Sequence, residues 1–183
     1  MPDPSPTQSK SVHHIAYTTR DAEATYEFYA KKLDMPLLHA ENHRQGDGYF
    51  RHFFFDIGRG EAIAFFELRD VGEERDFKTE ISTGLGLPTW ANHIAFRLDT
   101  LEQLEAKIER LHDNGITDIM QIDHGWCTSI YMLDPNGIMV EFCVTTDAGE
   151  FAQSEEEALR LLRQSPADFA EETRKEESVG KLV

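Results

Sequence analysis

The chain has 183 residues, with 34 acidic side chains against 18 Lys and Arg and a formal net charge of −16. That balance excludes a phosphate-backbone partner, which needs a basic patch, so no nucleic acid is expected. No apolar run approaches the roughly 20 residues that span a bilayer, so no membrane partner is expected either.

The length suits one domain, or two small modules sharing a core. Residues 1–11 form a Pro/Ser-rich arm, expected to be disordered. It has neither the basic segment nor the apolar run of a secretory signal. A first module over 12–70 opens with a strand at Val12–Thr18. A helix follows from Asp21 to Leu33, with Ala22, Tyr26, Tyr29 and Leu33 on one face. Strands are expected at Pro36–Ala40, Tyr49–Ile57 and Glu61–Leu68, the last two joined by the turn Gly58-Arg59-Gly60. Residues 71–91 read as a charged linker with a Gly/Pro-rich end.

The second module, over 92–146, repeats the order. A strand at Ala91–Leu98 leads to a helix at Thr100–His112, with Thr100 and Gln103 as a capping box. Leu101, Leu104, Ile108 and Leu111 form its apolar stripe, and Gly115 stops it. Strands at Thr117–Ile122, Ser129–Leu133 and Ile138–Val144 follow, the last two linked by the turn signal Asp134-Pro135-Asn136-Gly137. Residues 147–183 form an acidic helical tail, its helix starting at Ser154 and ending at Pro166. Cys127 and Cys143 lie in no Cys-x-x-Cys pair and fit free thiols in a reducing compartment. A cytoplasmic protein is expected.

The repeat carries the chemistry. His14-Ile15-Ala16-Tyr17 opens the first module and His93-Ile94-Ala95-Phe96 the second. Each module closes on a strand with one carboxylate, Glu67 in the first and Glu141 in the second. Side-chain alternation puts His14, Ala16 and Thr18 on one strand face, and His93, Ala95 and Arg97 on another. Phe65 with Glu67 is expected to match Met139 with Glu141. Four ligand-type groups would then converge if the modules pair about a pseudo-twofold axis, and a buried carboxylate without such a partner is costly. The expected fold class is α+β: two βαβββ modules forming a cupped mixed sheet around one divalent-metal site. His52 is a further candidate for the concavity. Arg97 is placed to meet an anionic group or a core carboxylate. Alternating Phe53, Phe54, Phe65 and Phe66 favour a planar or apolar substrate.

On these residues the chain resembles the vicinal oxygen chelate superfamily of glyoxalase I, methylmalonyl-CoA epimerase, fosfomycin-resistance proteins and type I extradiol dioxygenases. The resemblance covers roughly residues 12–146. It implies a divalent metal held by His14, Glu67, His93 and Glu141. Within it, Ile122-Asp123-His124, five further residues, and the run Ile130-Tyr131-Met132-Leu133-Asp134-Pro135-Asn136-Gly137-Ile138-Met139-Val140-Glu141 resemble the extradiol ring-cleavage signature. That branch implies Glu141 as an iron ligand, with His124 and Tyr131 as catalytic groups beside it. The chain departs from the branch in two ways. Glu67 adds a carboxylate, as in glyoxalase I, and Arg75–Ser82 lacks the acid–base His that the branch carries before its second ligand His.

The leading expectation is therefore an Fe(II) extradiol dioxygenase-like oxidoreductase acting on a catechol-type compound with vicinal oxygens. The alternative is a glyoxalase- or epimerase-like lyase or isomerase using Ni(II), Zn(II) or Mn(II), with Glu67 as ligand or base. A non-catalytic sequestering protein is a third class, disfavoured by the intact ligand set. A homodimer is compatible with either enzyme reading on base rates.

Overall fold

A computed structural model describes residues 11–169 and 175–178. The fold is α+β, built from two βαβββ modules. The chain divides into two compact units: residues up to Asn92 together with Leu133–Ile138, and His93–Met132 together with the chain from Met139 onward. Among the described residues, no helix is long and apolar enough to cross a membrane.

The first unit holds β1 (His14–Thr19), α1 (Ala22–Tyr26), β2 (Leu37–Gln45), β3 (Gly48–Gly58) and β4 (Glu61–Arg69). The sheet order is β1-β4-β3-β2, with β1 parallel to β4 and the other pairs antiparallel. Asp21 caps α1, its carboxylate accepting from the Ala24 amide at 2.9 Å. The expected helix runs nearly to its predicted end, but Glu27–Lys32 is wound as a π-helix, and the Leu33 amide donates to the Phe28 carbonyl. This wider turn accompanies burial of both Phe28 and Tyr29. Tyr29 stacks on Phe55 at 5.4 Å and meets Phe65 at 4.9 Å, and all three are fully buried. Burying an apolar side chain of this size contributes about 1.5–3 kcal/mol.

Two first-unit strands differ from the sequence reading. β2 continues to Gln45, five residues past its expected end, because it pairs with β3 as far as Gln45 opposite Gly48. Residues 71–91 are not a bare linker. The Arg20 guanidinium holds the Phe77 carbonyl and Asp76, and the buried Ser82 hydroxyl accepts from the Asn92 amide at 2.8 Å.

The turn Asp134–Gly137 also counts with this unit. Tyr29 donates its hydroxyl to Asp134 at 3.1 Å, and Asn136 reaches Thr25 at 3.3 Å. Asp134 also accepts from the Asn136 and Ile138 amides at 2.8 Å each. Burial nevertheless outweighs these donors and pushes the Asp134 carboxyl above the ordinary aspartate range.

The second unit holds β5 (His93–Leu98), α2 (Leu101–Asp113), β6 (Met120–Asp123), β7 (Cys127–Leu133), β8 (Met139–Thr145), α3 (Ala148–Phe151), α4 (Glu155–Leu162) and β9 (Lys175–Ser178). Its sheet order is β5-β8-β7-β6-β9, with β5 parallel to β8. Thr100 caps α2 as expected, but Gln103 reaches the Asp99 amide rather than closing on Thr100. Leu104 and Leu111 are buried, whereas Leu101 is exposed.

The tail departs most from expectation. α4 is capped by Ser154 but stops at Leu162, and Pro166 opens a short 3₁₀ turn rather than ending the helix. Beyond it, β9 pairs antiparallel with β6, so the tail adds a strand where only helix was expected. All of the arm expected to be disordered except Ser11 lies outside the described residues.

Candidate metal centre

The two histidine strands meet their closing strands in the same register. His93 stands opposite Met139, and Glu141 stands two positions further, opposite Ala95. Directly paired residues share a face, and the side chains meet: His93 Nε2 lies 3.1 Å from Glu141 Oε2. Glu141 is buried while His93 is partly open, so an imidazole and a carboxylate present their heteroatoms at one accessible point.

In the first unit His14 stands opposite Ala62, and the place two positions further, opposite Ala16, is taken by Ala64. Ala64, not Glu67, is therefore the register counterpart of Glu141. Glu67 pairs with Thr19, five positions beyond His14 and on the other face of the sheet. The structure does not bring Glu67 and His14 together, contrary to the expectation that Glu67 matches Glu141. Glu67 is instead buried between two arginines: Arg69 donates to its Oε1 at 3.1 Å, and Arg51 forms an ion pair with its Oε2 at 3.4 Å without a hydrogen bond. A count from the turn glycines carries this signal in the sequence. Gly137 precedes Glu141 by four residues, and four residues past Gly60 is Ala64.

The face of β1 that carries His14 also carries His52 and Phe54, with ring centroids 6.3 and 5.4 Å from His14. His13, just before the strand, sets its Nδ1 2.8 Å from His14 Nδ1. His52 stacks on Phe66 at 3.7 Å, and burial lowers its basicity although Glu41 lies 3.4 Å away. The expected placement of His52 on the His14 face holds. His39 and His43 both lie on β2, and His43 pairs with Glu41 at 3.1 Å.

In the second unit, His124 and Tyr131 come together as a pair, with His124 Nε2 2.8 Å from the Tyr131 hydroxyl. The Tyr131 ring lies 6.4 Å from that of His93. Burial raises the Tyr131 phenol well above its ordinary value, and the charge of Glu141 adds to the effect. Burial and Glu141 thus disfavour the phenolate, and Tyr131 and His124 share one hydrogen bond. Cys127, buried near Ser129 and Cys143, is pushed up to about 12 mainly by desolvation, which leaves it an inert thiol.

The profile of the glyoxalase/bleomycin resistance protein/dioxygenase superfamily matches residues 11–142. The chain belongs to this superfamily. Its members are mostly enzymes and typically use a divalent metal. The chain is 24% identical to a lactoylglutathione lyase of Pseudomonas aeruginosa over 163 residues, covering 80% of this chain and 89% of that protein. It is 36% identical to biphenyl-2,3-diol 1,2-dioxygenase 3 of Rhodococcus globerulus over 69 residues, which are 35% of this chain and 36% of that enzyme. A glyoxylase/bleomycin resistance protein/dioxygenase domain from Frankia sp. EAN1pec shares the fold, with a TM-score of 0.54, 21% identity, and coverage of 78% of this chain and 97% of that one.

The donor chemistry of the second unit fits a divalent cation. Among the described residues, no three His, Cys, Asp or Glu side chains gather as a ligand set; His93 and Glu141 stand together as a pair, 3.1 Å apart.

Proposed function

We propose that this protein is an iron(II) enzyme that cleaves a carbon–carbon bond of a catechol-type compound with dioxygen. His93 and Glu141 hold the metal. His14, at the matching point of the other repeat, is the third ligand, contributed by this chain or by a second copy. The observation that carries this reading is the register: Ala64 stands where a second carboxylate would be, and Glu67 is engaged by Arg51 and Arg69 on the opposite face. The candidate ligands are then two imidazoles and one carboxylate, the set that suits non-haem iron(II) with open positions. Bound there, the metal would supply two-point chelation of vicinal oxygens and electrons for dioxygen.

The protein's own part is to position and to move protons. Burial fixes Glu141 beside His93. The protonated Tyr131 donates a hydrogen bond towards substrate or dioxygen oxygens, and His124, 2.8 Å from its hydroxyl, orients it and relays a proton.

The similarity to lactoylglutathione lyase over most of that protein's length supports a second reading, proton chemistry on a hemithioacetal. Anaerobic purification with metal analysis, then oxygen uptake against a catechol panel, separates the two. Iron with catechol-dependent uptake is expected. Nickel or zinc, no uptake, and turnover of a hemithioacetal would overturn the dioxygenase reading.

A further inference from the structure

Arg97 lies on β5 four residues after His93, and strand alternation puts both on one face with Ala95 between them. Its register partner is Cys143, two positions past Glu141. Two residues of strand span roughly 7 Å, within reach of an arginine side chain.

Most arginines with a described partner are held by carboxylates: Arg20 by Asp76, Arg51 and Arg69 by Glu67, Arg75 by Asp70 and Arg160 by Glu157. Among the described residues, exposed Arg97 has neither an ion-pair nor a hydrogen-bond partner, and the neighbouring Glu141 turns to His93 instead. In a chain of net charge −16, Arg97 is the guanidinium that shares a strand face with His93 and, among the described residues, is engaged by no carboxylate. The field of the whole molecule repels anions, so a site that admits one needs such a fixed cation. The planar fork of arginine suits a carboxylate held by two parallel hydrogen bonds.

We infer that the substrate carries a carboxylate, separated from its vicinal oxygens by about a ring's width, and that Arg97 receives it. This rests on the reading of His93 and Glu141 as metal ligands.

The test is anaerobic isothermal titration of the full, metal-loaded chain with 3,4-dihydroxybenzoate and with unsubstituted catechol. The wild type is expected to prefer the carboxylated ligand, less so at high salt. Arg97→Ala should cut that preference by about tenfold to a hundredfold, the weight of a charge-assisted contact. Arg97→Lys should restore part of it, since it keeps the charge without the fork. An equal preference in wild type and Arg97→Ala overturns the assignment, and so does a wild type that binds both ligands alike, while the metal reading stands. Failure of both ligands to bind a metal-loaded wild type overturns both.

Discussion

Glu67 and Glu141 look equivalent in the sequence and are not. Each closes a module, yet Glu141 faces a histidine and Glu67 faces two arginines. The difference is one of parity, because an odd offset along a strand sends a side chain to the other face of the sheet. Glu67→Gln is therefore expected to cost about 1–2 kcal/mol of stability, a modest figure because both arginines are about half exposed, and to leave the metal content unchanged. Glu141→Gln should instead strip the metal. Denaturant unfolding and metal analysis of the two variants check this, and loss of metal in Glu67→Gln would return Glu67 to the ligand set. Asp134 carries a second expectation at this scale. Its folded carboxyl titrates above its unfolded value, so the folded chain binds an extra proton between the two. Stability then falls as pH rises through that window just above the ordinary aspartate range, and is flat beyond it. Asp134→Asn should remove this slope from a pH series of unfolding midpoints. It should also cost about 1–3 kcal/mol, because its amide nitrogen would face the Asn136 donor. The repeat singled out His14, His93 and Glu141, and the resemblance singled out His124 and Tyr131; of these the structure brings His93 to Glu141 and His124 to Tyr131. The clamp on Glu67 was not legible in the sequence, because Arg51 lies sixteen residues away on a different strand.

The order of elements followed from periodicity and turn residues, while their ends were set by pairing. The turn glycines, the Thr100 cap and the alternating apolar runs placed both modules. β2 ran past its apolar stretch because backbone pairing with β3 is indifferent to side-chain polarity. Gly48 shows a constraint that composition hides. A Cβ there would collide with the backbone carbonyls of Arg69 and Asp70, so only glycine lets β3 start against the end of β4. Gly48→Ala is expected to destabilise the first unit by about 1–3 kcal/mol through this overpacking. A chemical-denaturation midpoint equal to that of the wild type would show that the two strand ends are not packed this way.

At the scale of the whole chain, the acidic tail gains a structural part. β9 pairs with β6 and so covers what would be an open sheet edge, a site prone to pairing with other chains. Removing residues 170–183 should therefore speed hydrogen exchange at the Met120–Asp123 amides that face β9 and promote self-association. Unchanged exchange there would refute the pairing. The sequence by itself determined the two βαβββ modules, the histidine strands and the candidate chemistry, because these rest on local periodicity, turn residues and a visible repeat. It also carried the resemblance by which the chain was assigned to its superfamily. Only the tertiary structure decided which carboxylate meets a histidine, which arginines hold Glu67, and where the tail returns. Those depend on strand register and on pairing between distant segments, where a shift of one residue reverses a face and no local pattern records the partner.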